Sequence, residues 1–208
     1  YKLQRNGEKD KSVTLANSLD TSAPTVLATV GRMQRDGLIK VNCSKEIQLT
    51  QLRFEMAENI AYHHNLAEDF LCNTLGIPWF EVHKHAHQLE QAMTPLVVEK
   101  LAEFLGKPEF CPHGTPMPGQ SLPENSFTLD QAQAGSSIEV GMIGEDLEDS
   151  VELMRVLQNQ QMMPGHKHTI MERSEVMQSI TLDNGKDPSV LPMTKAQKII
   201  VIPSPVLA

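Results

Sequence analysis

One stretch constrains this chain more than any other. Residues 62–93, YHHNLAEDFLCNTLGIPWFEVHKHAHQLEQAM, hold five of its eight histidines, interleaved with Glu68, Asp69, Glu81 and Glu90. Gly76-Ile77-Pro78 divides the stretch into two helical segments. On the first, His64 and Glu68 are four apart and share a face. On the second, His83, His87 and Glu90 are spaced by four and three on one face, with Gln91 beside them, while His85 falls on the opposite side. Imidazole nitrogens and carboxylate oxygens at these helical spacings suit a transition metal of intermediate hardness. The stretch gives no sign of a thiolate among the ligands. The plainer alternative is a polar helix pair that happens to be rich in histidine. Two matched faces on consecutive helices favour metal.

Composition narrows the setting. The hydrophobic content of 40% is ordinary for a globular chain, and the length suits one generous domain or two to three small ones. No apolar run approaches the ~20 residues that span a bilayer, so no membrane partner is expected. Cys43, Cys72 and Cys111 are odd in number and far apart, which fits free thiols in a reducing cytoplasm. No secretory signal opens the chain, and its first residues read as the end of a helix, so a preceding segment is expected. The net charge of −8 is unevenly spread: residues 1–60 carry +2 and the remainder −10. A basic N-terminal part can meet nucleic acid, and an acidic body suits cations.

Ser12 is placed to cap a short helix from Val13 to Leu19. After Asp20-Thr21-Ser22, a second helix starts at Ala23-Pro24, capped by Ser22, and stops at Asp36-Gly37. Val26, Leu27, Val30 and Met33 recur along it at the helical period. Two short helices joined by a tight turn form the helix-turn-helix pattern, in which the second helix enters the major groove. Leu38 to Val41 and Ile47 to Leu49 then read as a two-stranded hairpin, or wing. Ser22, Thr25 and Thr29 offer hydroxyls to DNA, and Arg32 and Arg35 can reach phosphates. The alternative is a helix pair that serves packing alone; the hairpin that follows favours DNA binding.

Thr50 starts a long helix expected to end at Gly76. Pro78 opens another that runs to about Ala92, and Thr94-Pro95 caps a third that reaches Leu105. Leu71, Leu75, Trp79, Val82, Leu89, Leu96, Val97, Leu101 and Phe104 form its core or a dimer face. Residues 106–126 read as a Pro/Gly-rich linker, with Cys111 and His113 incidental to it. Beyond it, strands are expected at 127–129, 137–143, 168–171, 176–182 and 198–202, with one helix over 148–159. Such a set forms a small SH3-like barrel. Its acidic run, Glu145, Asp146, Glu148, Asp149 and Glu152, reads as a solvated surface.

Taken in this order, the segments SAPTVLATVGRMQRDGLI, HHNLAEDFL, VHKHAHQLEQAM and CPHGTPMPG resemble the diphtheria-toxin-repressor family of iron- and manganese-dependent regulators. The resemblance covers essentially the whole chain. It implies a multidomain α+β protein. Residues 1–60 would form a winged helix-turn-helix with a truncated N-terminus, and 61–123 a helical metal-binding and dimerisation domain with its linker. Residues 124–208 would form the C-terminal SH3-like barrel. It also implies a homodimeric repressor, not an enzyme, that binds palindromic operator DNA when loaded with Mn²⁺ or Fe²⁺ and controls metal homeostasis genes.

By the same resemblance, one metal site would use His64, Glu68 and His83. The family completes it with a Glu and a Gln where this chain has Ser150 and Leu153; Asp149 and Glu152 keep the spacing one position earlier and are the expected substitutes. A second, regulatory site would use His87, Glu90 and Gln91 with a ligand from the N-terminal segment. His87 stands where relatives usually carry Cys or Glu, and Gln91 where they carry His. On the DNA side Ser22, Pro24 and Thr25 match, whereas Ala28 replaces a common Gln. Ligands of nitrogen and oxygen alone lean slightly to manganese. Two rivals stand beside this reading: a metalloenzyme that uses the His/Glu cluster, and a winged-helix regulator that does not respond to metal.

Overall fold

The computed structural model describes residues 15–16, 21–185 and 188–204. The chain divides into two compact units, Tyr1–Ala61 and Tyr62–Ala208. Of the short helix expected over 13–19, Leu15 and Ala16 are helical and the rest lies outside the described residues.

In the first unit, helix α1 (Ala23–Arg35) begins as expected: Ser22 Oγ accepts the backbone N–H of Thr25, and Pro24 occupies the first turn. Val26 is its buried residue. Strands β1 (Ile39–Val41) and β2 (Ile47–Leu49) pair antiparallel, with Ile39 opposite Leu49 and Val41 opposite Ile47. Asn42 Oδ1 closes the hairpin by accepting the N–H groups of Ser44 at 3.0 Å and Glu46 at 2.9 Å. Ile39 and Ile47 turn inward.

Helix α2 (Gln51–Asp69) does not run on as α-helix to Leu75. It widens into a π-helical turn over Phe70–Thr74 and ends at Gly76, whose φ of +71° suits glycine. Pro78 does not open the next helix. The N–H of Glu81 closes a turn on the Pro78 carbonyl, and α3 follows at Val82–Glu90. The turn lets Trp79 point into the core. Helix α4 (Pro95–Phe104) is capped by Thr94 Oγ1, which accepts from the Val97 N–H. No helix among the described residues is long and apolar enough to cross a membrane.

Residues 106–126 are not a plain linker. Phe110 bridges Pro116, the Cys111 N–H donates to Thr115 O, and Cys111, His113 and Met117 are buried. Asn65 on α2 donates to Pro116 O at 3.5 Å. Gly114 sits at φ +86°, and a Cβ there would fall 2.0 Å from the carbonyl oxygen of Gly141.

The last part contains a six-stranded sheet in the order β3-β8-β4-β5-β6-β7, with every neighbouring pair antiparallel. The strands are β3 (Phe127–Thr128), β4 (Ser137–Ile143), β5 (Lys167–Ser174), β6 (Ser179–Asp183), β7 (Ser189–Pro192) and β8 (Ile199–Pro203). Period-two burial marks the inner face, through Ile138, Val140, Ile170, Ile180, Leu182, Ile199 and Val201. Sequence reasoning expected five strands. It missed β7 and the short helix that follows it at Met193–Ala196. The helix expected over 148–159 starts later, as α6 (Val151–Asn159), and a separate helical turn, α5 (Glu145–Glu148), precedes it across a break at Asp149-Ser150. Ser150 Oγ caps the second piece by accepting from the Leu153 N–H. One apolar cluster joins Trp79 to the sheet; a second gathers Leu66, Leu71, Val82, Ala86, Val98 and Ala102 from α2, its π turn, α3 and α4. The metal-ligating candidates lie in the same unit as both clusters.

Candidate metal centre

Helical spacing brings the first residues together. On α2, His64 Nε2 lies 3.0 Å from Glu68 Oε1, one turn further on. From α3, His83 Nδ1 reaches the same oxygen at 3.0 Å. From the loop after α4, His113 Nδ1 approaches it at 3.2 Å. The end of α5 supplies Glu148, whose Oε2 lies 2.8 Å from His83 Nδ1 and 3.3 Å from His113 Nδ1. Four segments far apart in sequence thus deliver three imidazoles and two carboxylates to one buried point, and each of the five residues is less than 7% exposed.

This packing is hard to satisfy with protons alone. Three ring nitrogens converge on one Glu68 oxygen, and His64 Nε2 and His83 Nδ1 stand 3.1 Å apart. Glu148 Oε1 is buried with no hydrogen-bond partner among the described residues. Donors about 2.1 Å from a shared cation lie about 3–4.3 Å from one another. Within His64, Glu68, His83 and Glu148 one donor atom from each falls within 4.8 Å of the others. The residues therefore fit a divalent transition ion, with first-row N/O preference.

Electrostatics agree with the geometry. Burial pushes the Glu68 carboxyl up, but His113 charge and bonds from His113, His64 and His83 outweigh it and hold the group well below the usual carboxylate range. Burial pulls the His83 imidazole down, and its bonds to Glu148 and Glu68 carry it up to about 10. His113 and His64 are raised in the same way against burial, His113 by Glu68 and Glu148 and His64 chiefly by Glu68. Protons and a metal ion compete for the same ring lone pairs, so ligation displaces any proton held there.

A second layer lies outside the first. His87, with its side chain half-exposed, places Nε2 3.1 Å from His83 Nε2 and Nδ1 3.4 Å from Glu90 Oε1. Glu90 Oε2 accepts from His64 Nδ1 at 2.7 Å. Asp149 Oδ1 stands 3.6 Å from His83 Nε2. The groupings His64–His87–Glu90 and His83–His87–Asp149 are both compact enough to hold an ion.

The expected ligands divide accordingly. His64, Glu68, His83, His87 and Glu90 come together. Asp149 is exposed at the rim, and Glu152 is exposed in the first turn of α6, outside these groupings. The acidic residue that enters the centre is Glu148, because the break at Asp149-Ser150 ends α5 with Glu148 turned inward. Gln91 is exposed and follows α3 as its C-cap. Sequence reasoning set His113 and Cys111 aside as incidental, yet both are buried and form a compact group with Glu68. A thiol is therefore within reach after all, although burial, ahead of the nearby Glu68 charge, pushes Cys111 up to about 12. No local sequence signal marks His113: what carries it inward is Gly114 at positive φ against the bulge of β4.

On α1, Ser22, Pro24, Thr25, Ala28, Arg32 and Arg35 are exposed and Thr29 is half-buried. Thr25 Oγ1 is 2.8 Å from Ser22 Oγ. Pro24, Ala28 and Arg35 lie on the side of α1 opposite the inward Val26, whereas Thr29 borders its buried face.

Comparison with known proteins places the chain. Residues 54–119 match a family model described as "Iron dependent repressor, metal binding and dimerisation domain". The chain is 30% identical over 213 residues to the iron-dependent repressor IdeR of Mycobacterium leprae (strain TN), covering 97% of this chain and 92% of that protein. It is 34% identical over 119 residues to the diphtheria toxin repressor of Corynebacterium diphtheriae (strain ATCC 700971 / NCTC 13129 / Biotype gravis), covering 57% and 53%. Among solved structures, a manganese-dependent transcriptional repressor in complex with manganese matches at a TM-score of 0.78 and 25% identity, over 95% of this chain and 92% of that one. The apo form of the manganese-activated repressor ScaR has the same fold, at a TM-score of 0.79 and 24% identity over 98% and 97%. The extent of the similarity to IdeR, spanning nearly all of both chains, shows that this protein belongs to the iron-dependent repressor family.

Proposed function

We propose that this protein is a DNA-binding transcriptional repressor switched by Mn²⁺ or Fe²⁺, acting in the cytoplasm as a homodimer on operators of metal homeostasis genes. The observation that carries the reading is the convergence of His64, Glu68, His83, His113 and Glu148 within hydrogen-bonding reach of one another. The proposed layout is a winged helix-turn-helix over residues 1–60, a helical metal and dimerisation domain over 61–123 and an SH3-like domain over 124–208. α1 serves as the recognition helix. Ser22, Pro24, Thr25, Ala28 and Thr29 face bases and backbone, and Arg32 and Arg35 face phosphates.

A divalent ion, when bound, supplies positive charge that neutralises the buried carboxylates and ties their helices together. The chain does the rest. Glu68 and Glu148 hold the histidines in line, and the Gly114 turn carries His113 to the centre. A ligand shifts an equilibrium only by its differential affinity for two states. The ligand set must therefore be better formed in the operator-competent state, and it joins α2, α3, the 106–126 loop and α5 in that state. His87, Glu90 and Gln91 form the outer, regulatory set.

The dimer reading rests on an apolar groove lined by Phe70, Leu96, Val97, Lys100, Leu101 and Phe104. Leu96 and Phe104 are 64% and 67% exposed there, an unusual outlay of large apolar surface. The groove is proposed as the face that a second copy covers.

The test is operator selection with Mn²⁺-loaded protein, followed by fluorescence anisotropy on the selected duplex with and without chelator. Tight binding that vanishes with chelator and returns with Mn²⁺ or Fe²⁺ supports the reading. Equal affinity in both conditions overturns it.

A further inference from the structure

The inner and outer ligand layers are not separate. His64 lies between them with its ring nitrogens divided: Nε2 is 3.0 Å from Glu68 Oε1, and Nδ1 is 2.7 Å from Glu90 Oε2. Glu90 is divided in turn, because its other oxygen, Oε1, is the one that faces His87 Nδ1 at 3.4 Å. The His64 and Glu90 side chains are 8% and 10% exposed, against 50% for His87. The bridging pair is therefore shielded, while the outer partner is open to solvent.

We infer that Glu90 couples two metal positions through His64, as the orienting carboxylate of an inner ligand and as a ligand of the outer position. This rests on the metal-dependent reading above and extends it. A neutral imidazole that offers Nε2 as a lone pair carries its proton on Nδ1. Here that Nδ1–H has one short acceptor, Glu90 Oε2. The carboxylate fixes both the tautomer and the tilt of the ring, the usual arrangement behind a ligating histidine. The same bond holds the Glu90 carboxylate so that Oε1 is presented beside His87. Filling the inner position locks the His64 tautomer, which locks Glu90, which preforms half of the outer set. Coupling of this kind is reciprocal, so an outer ion tightens the inner one by the same factor.

His83 stands in the same relation on the other side, with Nδ1 toward Glu68 and Glu148 and Nε2 toward His87 and Asp149. Its Nε2 contacts are longer, and Asp149 is exposed. The shielded 2.7 Å bond of His64 carries the coupling.

The experiment removes the outer ion and asks whether Glu90 still matters. Full-length His87→Ala protein is titrated with Mn²⁺, and free ion is followed by its six-line electron paramagnetic resonance signal. Glu90→Gln is then added in that background. The coupling account predicts that inner affinity falls by about tenfold, the scale of a lost orienting partner, although Glu90 does not ligate the inner ion. Unchanged inner affinity overturns it. Nitrogen-15 spectra of the histidines with Zn²⁺ as a diamagnetic probe give an independent reading. A proton on His64 Nδ1 with metal-shifted Nε2 is expected, and metal on Nδ1 contradicts it. If neither wild type nor His87→Ala binds any ion, the metal-dependent reading itself fails, a result distinct from independent sites.

Discussion

His113 Nε2 lies 3.0 Å from the carbonyl oxygen of Trp79, and the two rings meet edge to face with centroids 4.8 Å apart. The Trp79 indole N–H donates to the carbonyl of Pro112 at 2.9 Å, so Trp79 holds the loop at both Pro112 and His113. Donation from Nε2 to Trp79 O leaves His113 Nδ1 facing Glu68 and Glu148. The backbone of a core tryptophan thus decides which imidazole nitrogen the centre receives.

Trp79 is the single tryptophan in the chain. Its emission is expected to change saturably as Mn²⁺ is added to chelator-treated protein. In His113→Phe the ring contact survives but the nitrogen ligand does not. The metal-induced change should shrink to a minor fraction of its wild-type amplitude, measured in the same fluorimetric titration.

Glu148 and Glu152 separate the geometry from the spacing rule. Glu148→Gln should weaken Mn²⁺ binding by at least about tenfold, since ligand losses cost no less than losses of the groups behind them. Glu152→Gln, on the exposed side of α6, should leave affinity within about twofold of wild type. Calorimetric titration of both variants decides the assignment.

Gly114→Ala tests the loop. The added methyl meets Gly141 O at a separation no backbone tolerates, at a φ that L-residues avoid. A loss of about 1–3 kcal/mol in stability is expected, together with weakened metal binding as His113 is displaced. Denaturant melts with and without Mn²⁺ check this: the metal-induced gain in midpoint should be smaller than in wild type.

These variants mark where the sequence was legible and where it was not. His64 with Glu68, and His83 with His87 and Glu90, were readable because helical periodicity alone puts them on shared faces. Glu148 and His113 were not. Glu148 reaches the centre because Ser150 starts the expected helix late and leaves Glu148 at the end of a separate turn, α5, and an acidic run gives no hint of which member turns inward. His113 depends on a glycine-specific approach between a loop and the bulge of β4, a contact between residues far apart in sequence. β7 and the short helix after it were missed because Ser189-Val190-Leu191-Pro192 is too short to show alternation. The β1–β2 hairpin needed only local signals, the Asn42 turn and the inward Ile39 and Ile47, and was read correctly.

His168 on β5 gives a pH prediction. Burial holds its imidazole below the ordinary value, its Nε2–H donates to Gln161 O at 3.1 Å, and its buried Nδ1 has no partner among the described residues. The unfolded chain protonates this ring at a pH where the folded chain does not. The stability tied to the neutral ring is therefore complete above the ordinary histidine value of about 6.5 and declines as pH falls below it. Replacing the group by His168→Gln should flatten the stability profile below about pH 6.5, as read from urea midpoints.

The apolar groove makes a prediction about assembly. Leu96→Glu and Phe104→Glu each place a carboxylate on a face that a second copy is proposed to bury. Either should shift sedimentation from dimer toward monomer while the metal-free melting temperature changes little.

The most direct test of the central claim is the operator affinity of Glu68→Gln in saturating Mn²⁺. Three imidazole nitrogens converge on Glu68 Oε1, so this one carboxylate holds histidines from α2, α3 and the 106–126 loop together. If metal binding there switches DNA binding, the variant keeps its fold but binds the operator no better than chelator-treated wild type. Wild-type affinity in Glu68→Gln, with folding intact, would contradict the account.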